Sequence, residues 1–379
     1  MTIQEEEKMS EISIVFTGDI TFTKYFGSVE SGTELLDDPV ADFLRSADHC
    51  IGNIEGPFTS DEAFHGEFKH HSDPRFAPMI FNMGIDIWNL ANNHSLDFGE
   101  KGIKDTYKCA AELGASVIGV NQEKNAIKLL IFPEAGGIGI ISVTYSEKSM
   151  RKHSDMYIDW KDFESIQKAV NEVKEKNRWC VIVSHGGLEF SDMPAPNTRE
   201  VYLKYIGMGA DIVVGHHPHT VQNYEMVKEK TVFYSLGNFV FDTDYQRAQE
   251  HTNAGELLKI RFTEQSYSWI NLPIYINRVE NQIEKGDDPP VFINIDGKGY
   301  RRIWPFAAIG LSESERNIVR YLNPEKYKKF SRMMWFARDI KSIKNKEKRS
   351  IIFGKCIAYV KNLLKNKNDS VIIDYVSRM

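Results

Sequence analysis

One pattern constrains this chain more than any other. Short apolar runs with strand character stop, five times, at polar residues that can bind a metal. ISIVFTGD ends in Asp19, and HCIGNIEG carries Asn53 and Glu55. DIWNLANNH ends in Asn92, Asn93 and His94. VIVSHGGLE passes through His185 to Glu189, and DIVVGHHPH ends in His216, His217 and His219. Buried strands read as near-continuous apolar runs. In open α/β sheets, sites form beyond the carboxyl ends of the strands. The pattern therefore predicts that these groups meet at one sheet edge.

The surrounding sequence predicts such a fold. Strands are expected over Ile12–Thr17, Ile85–Leu90, Ile138–Val143, Cys180–Ser184 and Asp211–Val214. Helices are expected over Glu34–Ser46, Lys101–Leu113, Asp162–Lys176 and Thr198–Met208. This alternation implies an α/β class with helices covering the sheets. Gly114 and Gly209 follow two of the helices as C-caps. From Val221 to Ile276 the β-rich segments are expected to form an antiparallel meander that closes the sheet system. Glu284–Pro290 reads as a turn-rich linker. The expected organisation is a domain over 1–285 and a linker with a basic, mostly helical extension over 286–379. In that extension Ile352, Cys356, Val360 and Leu363 recur at helical spacing beside Lys355, Lys361 and Lys365.

Composition narrows the function classes. With 379 residues the chain exceeds one small module. It holds no apolar run of about 18 residues, the length a membrane-spanning helix needs. The start, MTIQEEEKMSEIS, is acidic where a secretion signal is basic and apolar, so the expected location is the cytoplasm. The four cysteines are scattered, with no CxxC, and Cys50 and Cys180 read as packed thiols. Residues from Arg301 onward hold 19 Lys+Arg against 7 Asp+Glu, which leaves the first 300 residues strongly acidic within a total of −6. The acidic body gives no support to nucleic-acid binding. The basic extension is expected to pack as a solvated helix face or to touch the inner face of a membrane or a protein partner.

Taken singly, most of the five motifs have plain structural readings, such as a turn after a strand or a satisfied histidine. GHHPH does not, because three histidines in four positions are poor core material. Together the motifs supply two carboxylates, an amide oxygen and three imidazoles. That mixture suits Mn, Zn or Fe better than Ca or Mg, which take oxygen shells. Six donors exceed one tetrahedral site and suit two adjacent divalent ions, the usual device for phosphoester hydrolysis. Lys69, His70, His71 and Arg75 form a basic cluster that could orient an anionic substrate.

The ordered set GD, NIE, ANNHSLDFG, SHGGLE, GHHPH and YSLGNFVFD, over about residues 12–243, resembles the CapA family of capsule or poly-γ-glutamate biosynthesis. That family resembles a branch of the calcineurin-like metallophosphatases. The resemblance implies a four-layer α/β/β/α sandwich with a helical C-terminal extension and a two-metal edge site. It implies that Asp19, Glu55 and His219 hold one ion and that Asn93, His185 and His217 hold the other. Glu55 takes the bridging position, and His94 acts on the substrate without binding metal. Asn53, Asn92, Glu189, His216 and Asn238 become neighbours of the site. Thr21 stands where many members of the wider superfamily carry a histidine. The implied function is a metal-dependent hydrolase of a phosphoester or related anionic small molecule or polymer, working with capsule-synthesis machinery. The alternative is a non-catalytic accessory or scaffold protein with a degenerate metal site.

Overall fold

The computed structural model describes residues 11–60, 69–123, 129–147 and 150–286. In chain order these form β1 (Ile12–Ile20), α1 (Lys24–Gly27), α2 (Asp38–Arg45), β2 (His49–Ile54), α3 (Ala77–Asn82), β3 (Ile87–Asn89), α4 (Gly99–Leu113) and β4 (Ser116–Ile118). Then come β5 (Leu130–Phe132), β6 (Ile138–Thr144), α5 (Phe163–Lys176), β7 (Trp179–His185), α6 (Pro196–Met208) and β8 (Ile212–His216). The last are β9 (Val221–Val227), β10 (Lys230–Leu236), β11 (Asn238–Val240), α7 (Asp244–Arg247), β12 (Ala254–Phe262), β13 (Tyr267–Asn277) and β14 (Gln282–Lys285). Residues 287–379, which hold nearly all of the expected linker and helical extension, lie outside the described residues. Among the described residues, no helix is long and apolar enough to cross a membrane.

Two mixed sheets carry the fold. The first runs β14-β13-β12-β1-β2-β3-β4, with β11 also paired to β1. The second runs β5-β6-β7-β8-β10-β9. Alternation along each strand decides what each face covers. Ile12, Ile14 and Phe16 of β1 join Val181 and Val183 of β7 and Ile212 and Val214 of β8 in a core between the sheets. Val15 and Ile20 of β1 face the opposite way, into a core with Val40 and Leu44 of α2, Ile80 of α3 and Ile103 of α4. On the far side, α5 buries Ile166, Ala169, Val170 and Val173 and packs on β6 and β7. The order of layers is α/β/β/α.

The strands and helices expected between Ile12 and Val214 are present, with shifted ends. α2 starts at Asp38 rather than Glu34, because the Asp37 carboxylate caps the Val40 amide and Pro39 occupies the first turn. Gly114 closes α4 at φ +82°, and Gly209 follows α6 at φ +124°. The expected meander is corrected. β9 and β10 pair antiparallel in the second sheet, whereas β12, β13 and β14 form an antiparallel run in the first. Each pair matched the pattern, but local periodicity carries no record of which sheet a hairpin joins. Glu284 and Lys285, expected in a linker, belong to β14, where they pair with Tyr275 and Ile274.

β1 changes partner at the site. From Ile12 to Phe16 it pairs antiparallel with β12, and at Asp19 and Ile20 it pairs parallel with β11. The register with β2 also shifts between Phe16 and Asp19. Such an irregularity re-aims side chains. Gly18 permits it, because a Cβ there would lie 2.4 Å from the Gly237 carbonyl oxygen. The switch places Asp19 at the sheet edge reached by the carboxyl ends of β2, β3, β7 and β8.

Candidate metal centre

Asp19 is fully buried. Its Oδ1 accepts from Asn53 Nδ2 at 2.7 Å, and its Oδ2 accepts from the His217 backbone amide at 3.3 Å. His219 Nδ1 stands 3.3 Å from the same Oδ2. Burial opposes ionisation, yet the hydrogen bond and positive charge of His219 outweigh it and hold the carboxyl below its ordinary value.

Glu55 follows β2, its amide bonded to the Ile20 carbonyl at 2.7 Å. The side chain is fully buried, and neither carboxylate oxygen has a hydrogen-bond partner among the described residues. Its Oε1 lies 3.6 Å from His219 Nε2 and 3.9 Å from His94 Nε2. Burial pushes this carboxyl up to about 8. A buried, unpartnered carboxylate is costly unless something completes it. Asp19, Glu55 and His185 each bring one donor atom within 4.8 Å of the others, which makes them a possible metal-binding cluster.

A second convergence adjoins the first. Asn93 Oδ1 lies 2.8 Å from His185 Nε2, and His217 Nδ1 lies 3.2 Å from that same nitrogen. On its other side His185 turns Nδ1 to Asn53 Nδ2 at 3.1 Å and to Asp19 Oδ1 at 3.9 Å. His185 thus stands between the two donor sets. Burial, together with the neighbouring histidines, lowers His185 well below the ordinary imidazole value, and burial lowers His217 to about 4. Both are therefore uncharged near neutral pH, the state in which imidazole donates to a metal. His219 moves the other way, up to about 10, where the carboxylates Glu55 and Asp19 overcome the cost of burial.

The backbone bears strain here. His217 has φ +97° and His219 φ +57°, in the left-handed region that favours glycine. Residues held there cost roughly 1–3 kcal/mol each and cluster at functional sites.

His94 is buried beside the cluster, its Nδ1 2.8 Å from Asp97 Oδ2. Burial works against its charged form, but the Asp97 hydrogen bond and the Glu55 charge hold the imidazole above its ordinary value. His70 packs edge-on to His94, ring centres 4.3 Å apart.

The expected neighbours take structural parts. Asn53 bonds Asp19, as above, and accepts from Asn89 Nδ2 at 2.9 Å. Asn92 donates to the Ile54 carbonyl at 2.6 Å and accepts from the His94 amide at 3.2 Å, which folds the loop. His216 Nε2 meets the Thr17 carbonyl at 2.8 Å and ties β8 to β1. Asn238 Oδ1 accepts from His219 Nδ1 at 2.9 Å. Glu189 acts through its charge, which opposes the lowering of His217 by burial and adds to the rise of His219. Thr21 is fully buried, and its Oγ1 has no hydrogen-bond partner among the described residues.

The residues of the basic cluster expected from Lys69 to Arg75 take separate partners. Lys69 Nζ bonds the Asp97 carbonyl at 2.6 Å, Arg75 bonds the Gly27 carbonyl at 2.9 Å, and His71 lies against Phe98 with the rings tilted. Of the four, His70 reaches the site, through His94. Sequence reading missed Asn89, Asp97 and Glu147, whose Oε1 accepts from Asn93 Nδ2 at 3.1 Å. Asp97 lay three residues after His94 in a turn-rich motif. Glu147 follows the expected strand at Ile138–Val143, so the strand-end rule applied to that run would have reached it.

The chain matches the Bacterial capsule synthesis protein PGA_cap over residues 13–243. It is 27% identical over 271 residues to the Capsule biosynthesis protein CapA of Bacillus anthracis, covering 65% of this chain and 63% of that protein. It is 28% identical over 249 residues to the PGA biosynthesis protein CapA of Bacillus subtilis, covering 63% of this chain and 66% of that protein. These matches therefore span just under two thirds of the relatives' own length. A Probable polyglutamine synthesis accessory protein of Mycobacterium tuberculosis is 24% identical over 238 residues, covering 57% of this chain and 61% of that protein. Among solved structures, a hypothetical protein from Thermus thermophilus is 14% identical with a TM-score of 0.43, covering 69% of this chain and 99% of that one.

Proposed function

The chain belongs to the Bacterial capsule synthesis protein PGA_cap family, and from that premise we propose that it is a metal-dependent hydrolase of a phosphoester or related anionic substrate in capsule or exopolymer synthesis. The observation that carries the proposal is Glu55. A fully buried carboxylate with two unpartnered oxygens sits within 4.8 Å of donor atoms of Asp19 and His185, and a cation completes it.

The residues present fit two divalent ions, Mn, Zn or Fe. Asp19, Glu55 and His219 would hold one and Asn93, His185 and His217 the other. When bound, such a pair supplies Lewis-acid activation of water and neutralises charge on an anionic substrate. The chain does the rest. Asn53 fixes the Asp19 carboxylate, and Glu147 fixes the Asn93 amide so that Oδ1 points at the second donor set. Asp97 fixes His94 through Nδ1, which leaves Nε2 toward Glu55 to hold the proton for a leaving oxygen. Burial of these groups, the exposed Glu147 excepted, excludes bulk water.

The test is direct. The purified chain should contain close to two Mn, Zn or Fe ions and release phosphate or p-nitrophenol from simple phosphoesters. H217A or D19N should abolish that release with the fold intact by circular dichroism. Retained activity in either variant overturns the proposal.

One observation favours a second reading. Thr21, buried and unpartnered among the described residues, gives the first donor set no histidine at that position. A weakened first site would suit an accessory or scaffold protein of polymer assembly, and the mycobacterial relative is named a probable accessory protein of polyglutamine synthesis. Less than one ion per chain and no turnover would decide for it. On either reading the basic extension is the part proposed to meet synthesis machinery or the inner membrane face.

A further inference from the structure

The loop after β7 is stitched to the loop after β8, which carries two of the donor histidines. The Gly186 amide donates to the His216 carbonyl at 3.0 Å, and the Phe190 amide donates to the Pro218 carbonyl at 2.8 Å. Thr220 Oγ1 and Gln222 Nε2 both donate to the Ser191 carbonyl at 2.7 Å. Pro218 lies between His217 and His219, the two donors held at positive φ. Backbone strain of this kind persists only where its surroundings over-determine it. The Phe190 amide bond falls in the middle of the strained turn. Phe190 is itself at φ +58°, a conformation that residues other than glycine rarely take.

The Phe190 side chain acts on the same donor. Its half-buried ring stacks on the His219 imidazole, with ring centres 5.9 Å apart and planes 23° from parallel. Offset stacking at such a separation is attractive. Within its own plane His219 is fixed by Nδ1, which lies 2.9 Å from Asn238 Oδ1 and 3.3 Å from Asp19 Oδ2. Those contacts set where the nitrogen points. They do not fix the tilt of the ring, because the χ2 torsion of histidine has a broad energy well. A ring stacked on the imidazole removes that freedom. Tyr245 stands edge-on to Phe190 at 5.3 Å, and the buried Phe241 meets His219 at 4.7 Å.

We propose that Phe190 is a positioning residue for His219. Its amide buttresses the strained turn that carries the donor, and its ring sets the plane of the imidazole before an ion arrives. This rests on the reading of Asp19, Glu55 and His219 as one donor set and names the residue that preorganises it. His219 is the single imidazole of that set, so its tilt bears directly on how tightly the set holds an ion. Orienting a ligand in advance raises affinity because the ordering is complete before binding.

The test is a double-mutant cycle over F190G and H219A, read by calorimetric titration of the full metal-free chain with Mn. F190G keeps the amide and suits φ +58°, but removes the ring. It should weaken one of the two ions by about 10–100-fold, the usual loss for a group that orients a ligand. The other ion should change by no more than about twofold, the scatter between independent sites. In the H219A background, F190G should likewise change Mn affinity by no more than about twofold. F190Y, which keeps the ring, should bind both ions as the unmodified chain does. F190A serves as the second ring-deleting variant where F190G fails to fold by circular dichroism, with the same expected loss. Unaltered affinity in the ring-deleting variant, an equal loss with and without His219, or a loss in F190Y matching that in F190G overturns the proposal. The hydrolase reading is judged separately, by p-nitrophenyl phosphate turnover. Two bound ions without turnover end that reading and leave this inference standing, whereas an unmodified chain that binds no ion ends both.

Discussion

His94 Nδ1 and Asp97 Oδ2 stand 2.8 Å apart, both side chains buried, and this pair sets which ring nitrogen faces the donor cluster. Asp97 also accepts from the His70 amide at 2.9 Å, so its carboxylate is itself anchored. D97N keeps the shape and loses the charge. It should lower kcat by roughly 10²-fold, the usual worth of a positioned acid, and leave KM and metal content unchanged. Steady-state kinetics with metal analysis checks this, and a change in KM alone would contradict it.

Glu55 ties stability to metal. A ligand that binds only the folded state stabilises it by about 2.7 kcal/mol at 100 times its Kd. For a domain of this size that is roughly 4–5 °C in Tm. Chelation should lower the Tm of the unmodified chain by about that amount. E55Q should bind metal weakly and show little Tm change on chelation. Differential scanning calorimetry with and without EDTA reads both.

Glu256 predicts a pH dependence away from the metal centre. It is fully buried on β12, with Asn271 Nδ2 bonded to Oε2 at 2.9 Å. Burial raises its carboxyl from the ordinary 4.5 to about 7. The folded chain therefore holds this proton more tightly than the unfolded chain. This contribution to stability is complete below about pH 4.5 and is lost as pH rises through 7. E256Q should be more stable than the unmodified chain above pH 7, by on the order of 2–3 kcal/mol, and should flatten that part of the profile. Urea titrations at pH 5 and pH 8 measure it.

Gly18 predicts a steric lesion. A Cβ there would stand 2.4 Å from the Gly237 carbonyl oxygen and 2.8 Å from the Asn238 carbonyl carbon, both backbone atoms that cannot swing aside. G18A should cost more than about 2 kcal/mol, as overpacking does, and should displace Asp19 from its parallel pairing with Asn238. Stability in denaturant and metal content should both fall. A fully stable, metal-loaded G18A would contradict the account of the β1 switch.

Much of this molecule was legible in the chain. Apolar runs marked every strand that ends at the site, because a strand buried on both faces must be apolar throughout. The polar residue closing each run marked the donors, because isolated buried carboxylates and imidazoles are too costly to serve as core. Motif order, by resemblance, added the grouping of donors and the sandwich. Periodicity could not say that β9–β10 and β12–β14 belong to different sheets, because each hairpin satisfies its own hydrogen bonds wherever it docks. Nor could it say that Lys69 and Arg75 turn to backbone carbonyls while Glu147 reaches Asn93. Those contacts join residues 28, 48 and 54 positions apart, and only the packed chain brings them within hydrogen-bond range. The sequence determined which donors are available. The tertiary structure decided which of them face one another, because β1 changes partners at Gly18 and His185 stands between Asp19 and Asn93.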